Sequence, residues 1–118
     1  MKLITAIVRP EKLDELILAL TDEGIRGLTV TDVRGFGRQY GRLVHTAHKI
    51  TIPAHEHTPS LLPKVRLDIV ALDDDADTIV EAIAKHARTE TIGDGKIWMT
   101  TVHRIQRVRT GEQGRAAV

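Results

Sequence analysis

The chain has 118 residues, 17 of them Lys or Arg and 16 Asp or Glu, for a formal net charge of +1. That length supports one domain around one core, and so even a charge removes any global pull toward nucleic acid or anionic lipid, leaving anion binding to local clusters. Cysteine is absent, which excludes disulfides and thiolate metal sites.

No apolar run approaches the roughly 18 residues of a membrane span. Pro10, Glu11 and Asp14 arrive too early for a signal peptide. The expectation is a cytoplasmic protein with no nucleic-acid partner and no membrane insertion. Residues 2–9 are apolar and partly β-branched, which predicts a strand. Pro10 suits the first turn of a helix, Leu13, Leu16, Ile17 and Leu20 recur at helical spacing, and Gly24 is a plausible stop. Residues 26–36 predict a second strand that enters a turn at Gly35-Phe36-Gly37.

Periodicity then vanishes over residues 37–61. A connection this long is uncommon unless it is functional or disordered, and its usual use is partner contact. Residues 62–72 alternate, with Val65, Leu67 and Ile69 on one face and Lys64, Arg66 and Asp68 on the other, as in a half-buried strand. Asp73, Asp74 and Asp75 sit where a helix N-terminus favours negative charge, and Ile79, Val80, Ile83, Ala84 and Ala87 make an apolar stripe. A Gly93-Asp94-Gly95 turn leads to a last strand at 96–103, followed by a basic, then small and polar, tail at 104–118.

The order βαββαβ predicts an α+β, ferredoxin-like domain spanning residues 1–118, two helices covering one face of an antiparallel sheet. Thr29, Val33, Val70, Trp98, Thr100 and Val102 would leave an apolar patch on the other face, of the kind that self-association buries.

Three separate stretches suit a polyanion. Gly35-Phe36-Gly37-Arg38-Gln39 offers backbone N–H groups and a fork-shaped arginine. Ile92-Gly93-Asp94-Gly95-Lys96 offers a second glycine turn with a lysine point charge. Arg107 and Arg109 lie two apart and share one face of an extended segment. Alone, each also suits an ordinary turn or a solvated basic edge.

Together with Gly27-Leu28-Thr29-Val30-Thr31, Leu62-Pro63-Lys64-Val65 and Arg107-Val108-Arg109-Thr110-Gly111-Glu112, these stretches resemble the successive signatures of the PII signal-transduction family. The resemblance runs from Met1 through the tail and is interrupted mainly at 40–61. It implies a non-enzymatic homotrimer that binds ATP or ADP, and AMP in some branches, in clefts between subunits. By position, Ile7, Thr29, Gly35, Gly37, Arg38, Gln39, Gly93, Asp94, Gly95 and Lys96 are the implied nucleotide-binding residues, with Arg107 and Arg109 reaching in from the next subunit. Gln39 is implied to hold Mg2+ with ATP, and Arg9, Gln39 and Lys64 to hold a small anionic metabolite, 2-oxoglutarate. In family terms residues 37–61 are the T-loop, which contacts a target transporter or enzyme through 40–61. Residues 88–96 are the B-loop, and 104–118 the C-terminal segment.

Departures from the family pattern carry expectations of their own. The T-loop tyrosine that receives a nucleotidyl group has no counterpart near the loop tip, Tyr40 lying at the base, and the loop is about six residues longer than usual. Thr89-Glu90-Thr91 stands where the family favours Thr-Gly-Lys, and an acidic Glu90 near phosphates would weaken ATP relative to ADP or AMP. A carbon-branch sensor that responds to ADP or AMP and bicarbonate is therefore the alternative reading. His45, His48, His55 and His57 form two loose pairs that a transition metal would suit, and a metal-binding, cation-tolerance-like trimer is a further alternative. Catalysis of the acylphosphatase kind would need an Arg–Asn pair, and the chain has no asparagine. RNA binding on this plan would need aromatics on the sheet, where Phe36, Tyr40 and Trp98 are the whole supply.

Overall fold

The structure, a computed structural model, describes residues 1–37 and 61–118. In chain order its elements are β1 (Lys2–Val8), a 3-10 turn (Pro10–Lys12), α1 (Leu13–Asp22), β2 (Thr29–Gly35), β3 (Leu62–Ala71), α2 (Asp73–Ala87), β4 (Lys96–Thr101) and a final 3-10 turn (Gly114–Ala117). The four strands form one antiparallel sheet in the order β2-β3-β1-β4. This is the expected ferredoxin-like arrangement, with β1 and β3 central and β2 and β4 at the edges.

Strand alternation decides what faces the helices. Ile4, Ala6 and Val8 of β1 sit opposite Ile69, Leu67 and Val65 of β3, and all six are buried. Leu16 and Leu20 of α1 and Ala76, Ile79, Ile83 and Ala87 of α2 close the same core. Burying a large aliphatic side chain contributes about 1.5–3 kcal/mol relative to leaving it exposed, so this single layer between sheet and helices is the main source of stability. The predicted stripe of α1 is narrower than its spacing implied, because Ile17 is 37% exposed at its margin.

The element ends have physical causes. Pro10 opens a 3-10 turn rather than the α-helix itself, with the Lys12 N–H bonded to the Arg9 carbonyl at 3.1 Å. Gly24, at φ +86°, ends α1 in a Schellman motif: its N–H bonds the Thr21 carbonyl and the Ile25 N–H bonds the Leu20 carbonyl, both at 3.0 Å. β2 begins at Thr29 and not at residue 26; residues 26–28 have no ladder partner and line a cavity. β4 stops at Thr101 and not at 103. Its last link is the Val102 N–H to the Met1 carbonyl, beyond which β1 offers no further partner. The Asp73 carboxylate lies 3.0 Å from the Met1 ammonium at the head of α2. His86 Nδ1 of α2 meets Glu15 Oε1 of α1 at 3.1 Å across the helix seam.

The helix-free face carries Leu3, Thr5 and Ile7 of β1, Lys64, Arg66, Asp68 and Val70 of β3, Thr29, Thr31 and Val33 of β2, and Lys96, Trp98 and Thr100 of β4, as the register dictates. One row across the sheet reads Thr29, Asp68, Thr5, Trp98. Of the patch expected from sequence, Thr29, Val33, Val70, Trp98 and Thr100 share this face, Val102 lies past the end of β4, and charged residues of β3 divide what remains. Among the described residues no helix is long and apolar enough to cross a membrane.

Truncation at the centre of this layer should be costly. Ile83→Ala removes a side chain with 0% exposure and is expected to lose about 2–5 kcal/mol, read by denaturant unfolding at fixed protein concentration.

Candidate functional site

Strands β1 and β2 finish, and β3 and β4 begin, at one end of the sheet, and the glycine turn before β4 is fastened there. Arg9, just past β1, donates from Nε to Asp94 Oδ1 at 3.0 Å and from Nη2 to Thr91 Oγ1 and the Ile92 carbonyl, both at 2.8 Å. The Thr89 N–H donates to Asp94 Oδ2 at 2.7 Å, and the Thr89 hydroxyl also bonds the same carboxylate. Lys64 Nζ, from the start of β3, donates to the Gly93 carbonyl at 2.7 Å. Partial burial alone would push the Asp94 carboxyl up. The hydroxyl and N–H of Thr89, the Arg9 guanidinium and the Glu90 N–H outweigh it and hold the group well below the usual carboxylate range. Burial, and after it the Arg9 charge, push the Lys64 ammonium down, while Glu11 and Asp94 oppose them.

Gly95 is where the turn touches the sheet. Its φ is +89°, and a Cβ there would lie 1.7 Å from the Ile7 carbonyl oxygen. Only glycine lets the backbone pass so close. Lys96 then pairs with Ile7 in the ladder. Glu90 is the one described non-glycine residue with positive φ, +61°. The position that the family pattern fills with glycine thus needs a left-handed backbone, and glutamate occupies it here at a cost of about 1 kcal/mol. Gly35 and Gly37 are placed differently from Gly95. Neither has a left-handed backbone, and a Cβ at either would meet nothing within 4 Å.

The opposite end of the sheet holds a cavity of about 730 Å³. Gly24 to Thr29, Asp68, Val70 to Leu72, Asp75 and Ile79 line it from the domain, and Ile105, Arg107, Arg115, Ala117 and Val118 from the tail. Asp68 is fixed by Arg66, whose Nε and Nη2 reach its two oxygens at 2.8 and 3.1 Å, and by the Thr5 hydroxyl at 2.7 Å. The Arg66 contact chiefly holds the Asp68 carboxyl down; burial opposes it and Thr5 assists.

The site residues read from sequence therefore fall into two groups. Ile7, Arg9, Gly35, Gly37, Lys64, Gly93, Asp94, Gly95 and Lys96 gather at the end where β3 and β4 begin; Thr29 and Arg107 line the cavity at the other. The six residue steps of β2 between Thr29 and Gly35 span about 20 Å. Arg109 is exposed on the tail, beside a Val108 that is 100% exposed. Arg38, Gln39, Tyr40, His45, His48, His55 and His57 lie outside the described residues, and with them the Mg2+ and transition-metal expectations. Among the described residues no group of three His, Cys, Asp or Glu side chains is placed to hold a metal. Sequence reasoning missed the anchoring roles of Thr89 and Thr91, and it missed Gly27, Leu28, Asp68 and Val70 as cavity lining. Strand register unites that lining, and no local motif marks it.

Two outcomes test the turn. Gly95→Ala should destabilise the fold by at least about 1–2 kcal/mol from the positive φ alone, with the clash on Ile7 adding to it, measured by chemical denaturation. A carboxylate held below its unfolded value near 3.9 stabilises fully above that value, and loses the contribution as pH falls through the folded one. The stability gap between wild type and Asp94→Asn should therefore stay level from pH 7 to about 4 and close only in stronger acid, followed by urea unfolding across pH.

Comparison with known proteins places the fold and motifs in one family. The family model for nitrogen regulatory protein P-II matches residues 1–112. The chain is 48% identical over 118 residues to nitrogen regulatory protein P-II 2 of Methanothermobacter thermautotrophicus, covering 100% of this chain and 97% of that one. It is 43% identical to nitrogen regulatory protein GlnK and 47% identical to nitrogen regulatory protein P-II 1, both of Escherichia coli K12, with both chains covered in full. The protein belongs to the P-II family of nitrogen regulatory proteins, a family of signal-transduction proteins and not of enzymes.

Proposed function

We propose that this protein senses adenine nucleotides at the seams of a homotrimer and passes the result to a target transporter or enzyme through residues 40–61. The observation that carries the reading is the division of its nucleotide-binding candidates between opposite ends of one sheet. Gly93, Gly95 and Lys96 sit at one end and Thr29 and Arg107 at the other, about 20 Å away along β2. One chain cannot close both groups on a single nucleotide, whereas two adjoining copies can. The half-site at the cavity offers apolar walls in Leu28, Val70 and Ile105 with polar groups from Thr29 and Asp68, a lining suited to a purine. The other half-site offers a glycine turn and Lys96, suited to phosphates. The exposed, charge-divided sheet face, with Trp98 40% exposed, is consistent with burial against further copies.

Arg9 and Lys64 would serve a small dianion such as 2-oxoglutarate, or bicarbonate. Arg9 is bonded into the 91–94 turn, and Lys64 to the Gly93 carbonyl. A metabolite there would have to exchange with those bonds, and so would move the turn that holds the phosphates. That is a direct route by which one ligand changes the affinity for the other, and a coupling of about 1–3 kcal/mol is typical. Thr91 offers no charge to phosphates, and Glu90 adds a negative one beside them, which disfavours ATP against ADP or AMP.

Calorimetry with ATP, ADP and AMP, each with and without 2-oxoglutarate or bicarbonate, tests the reading. Binding of ADP with one site per chain is expected, weakened on the order of tenfold by Arg107→Ala, with Glu90→Gly raising ATP affinity relative to ADP. A folded protein indifferent to all three nucleotides would overturn it.

A further inference from the structure

The Arg107 guanidinium already has anionic company in its own chain. Its Nη1 lies 3.4 Å from Glu112 Oε1, and its Nη2 donates to the Ala116 carbonyl at 3.2 Å. Both contacts are longer than the roughly 2.7–2.9 Å of a strong charge-assisted bond. The two side chains are 38% and 44% exposed, so the pair is one of the weak surface kind.

The backbone around them is held separately. The Arg107 N–H bonds the Glu112 carbonyl and the Gly111 N–H bonds the Arg107 carbonyl, both at 2.8 Å, and the Gly114 N–H reaches the Ile105 carbonyl at 3.2 Å. With the Gln106–Gln113 bridge these close a hairpin over residues 105–114 that does not need the guanidinium. Beyond Gly114 the situation changes. Among the described residues, the hydrogen bond that ties residues 115–118 back to the hairpin is the one from Arg107 to the Ala116 carbonyl. Those same residues, through Arg115, Ala117 and Val118, form a wall of the cavity that Thr29 lines.

We infer that Glu112 is an internal stand-in for a nucleotide's phosphate. With the Ala116 carbonyl it occupies Arg107 until a phosphate displaces both, and the exchange releases the Gly114–Ala117 turn from the cavity wall. This rests on the reading of Arg107 as a phosphate ligand. The chemistry favours the exchange, since a planar guanidinium fork bonds two phosphate oxygens at once, where Glu112 supplies one distant oxygen. Residues 115–118 then report occupancy of the nucleotide site on the outside of the molecule.

The test is carboxypeptidase digestion of the full chain with and without ADP, beside ADP calorimetry, on wild type, Glu112→Gln and, as a second variant, Glu112→Ala. ADP should speed the release of Val118, Ala117 and Ala116 from the wild type. Both variants should bind ADP about two- to fivefold more tightly, the worth of an exposed ion pair. Tighter binding would also follow from removing any nearby negative charge, so the digestion of the tail decides. ADP binding with the tail's digestion unchanged or slowed overturns the inference alone. No ADP binding by any of the three proteins overturns the nucleotide reading, and the inference with it.

Discussion

The carboxylate of Asp94 joins segments of the chain that sequence keeps far apart. It takes the guanidinium of Arg9 from the end of β1 and the N–H and hydroxyl of Thr89 from the end of α2. Held this way, the turn before β4 can run its backbone against the Ile7 carbonyl at Gly95 and deliver Lys96 into the ladder. Without that carboxylate the four residues from Thr91 to Asp94 would have little to fix them, since most of their partners are the groups it orients. The same carboxylate explains why arginine at position 9 is spent inside the protein. A charge-assisted bond to a partly buried acid and two further bonds hold it more firmly than solvent would.

Two ends of one sheet carry two kinds of surface. One end is a stiff, hydrogen-bonded turn surrounded by Arg9, Lys64 and Lys96; the other is an open cavity walled by the tail. The stiff end is suited to holding phosphates in a fixed geometry, and the walled end to yielding when something enters. A regulator needs both, because a ligand shifts an equilibrium only by the difference in its affinity for two arrangements. The αL backbone at Glu90 places a small strain between the two anchor threonines, the kind of stored cost that surrounding bonds must override.

Much of this was legible in the residues. Alternation in 62–72 gave β3 and its buried face, the stripe from Ile79 to Ala87 gave α2, and Gly24 marked the end of α1, each because one local period or one glycine suffices. The motif at 92–96 was legible as a tight turn, yet its anchoring was not. Arg9 and Asp94 are 85 positions apart, and no spacing rule connects them until β1 and β4 pair. Asp68 and Thr29 meet for the same reason, through a register between strands separated by a long loop. Gly35 and Gly37 looked equivalent to Gly93 and Gly95 on paper. Composition does not distinguish a glycine whose own turn has a left-handed backbone, as at Gly93 and Gly95, from one whose backbone is ordinary. Arg107 read as a phosphate ligand or part of a solvated basic edge, and its partners Glu112 and Ala116 were not foreseen because they belong to a tail with no periodic signal.

Trp98 is the only tryptophan in the chain. It stands on the helix-free face in the row with Thr5 and Asp68, 40% exposed. An indole so placed is a built-in optical gauge of that face. An indole reached by water emits further to the red than one covered by apolar surface, so any surface settling over this face would move the emission to the blue, without any label. Association over this face could thus be followed by light from one residue, independently of events at either end of the strands.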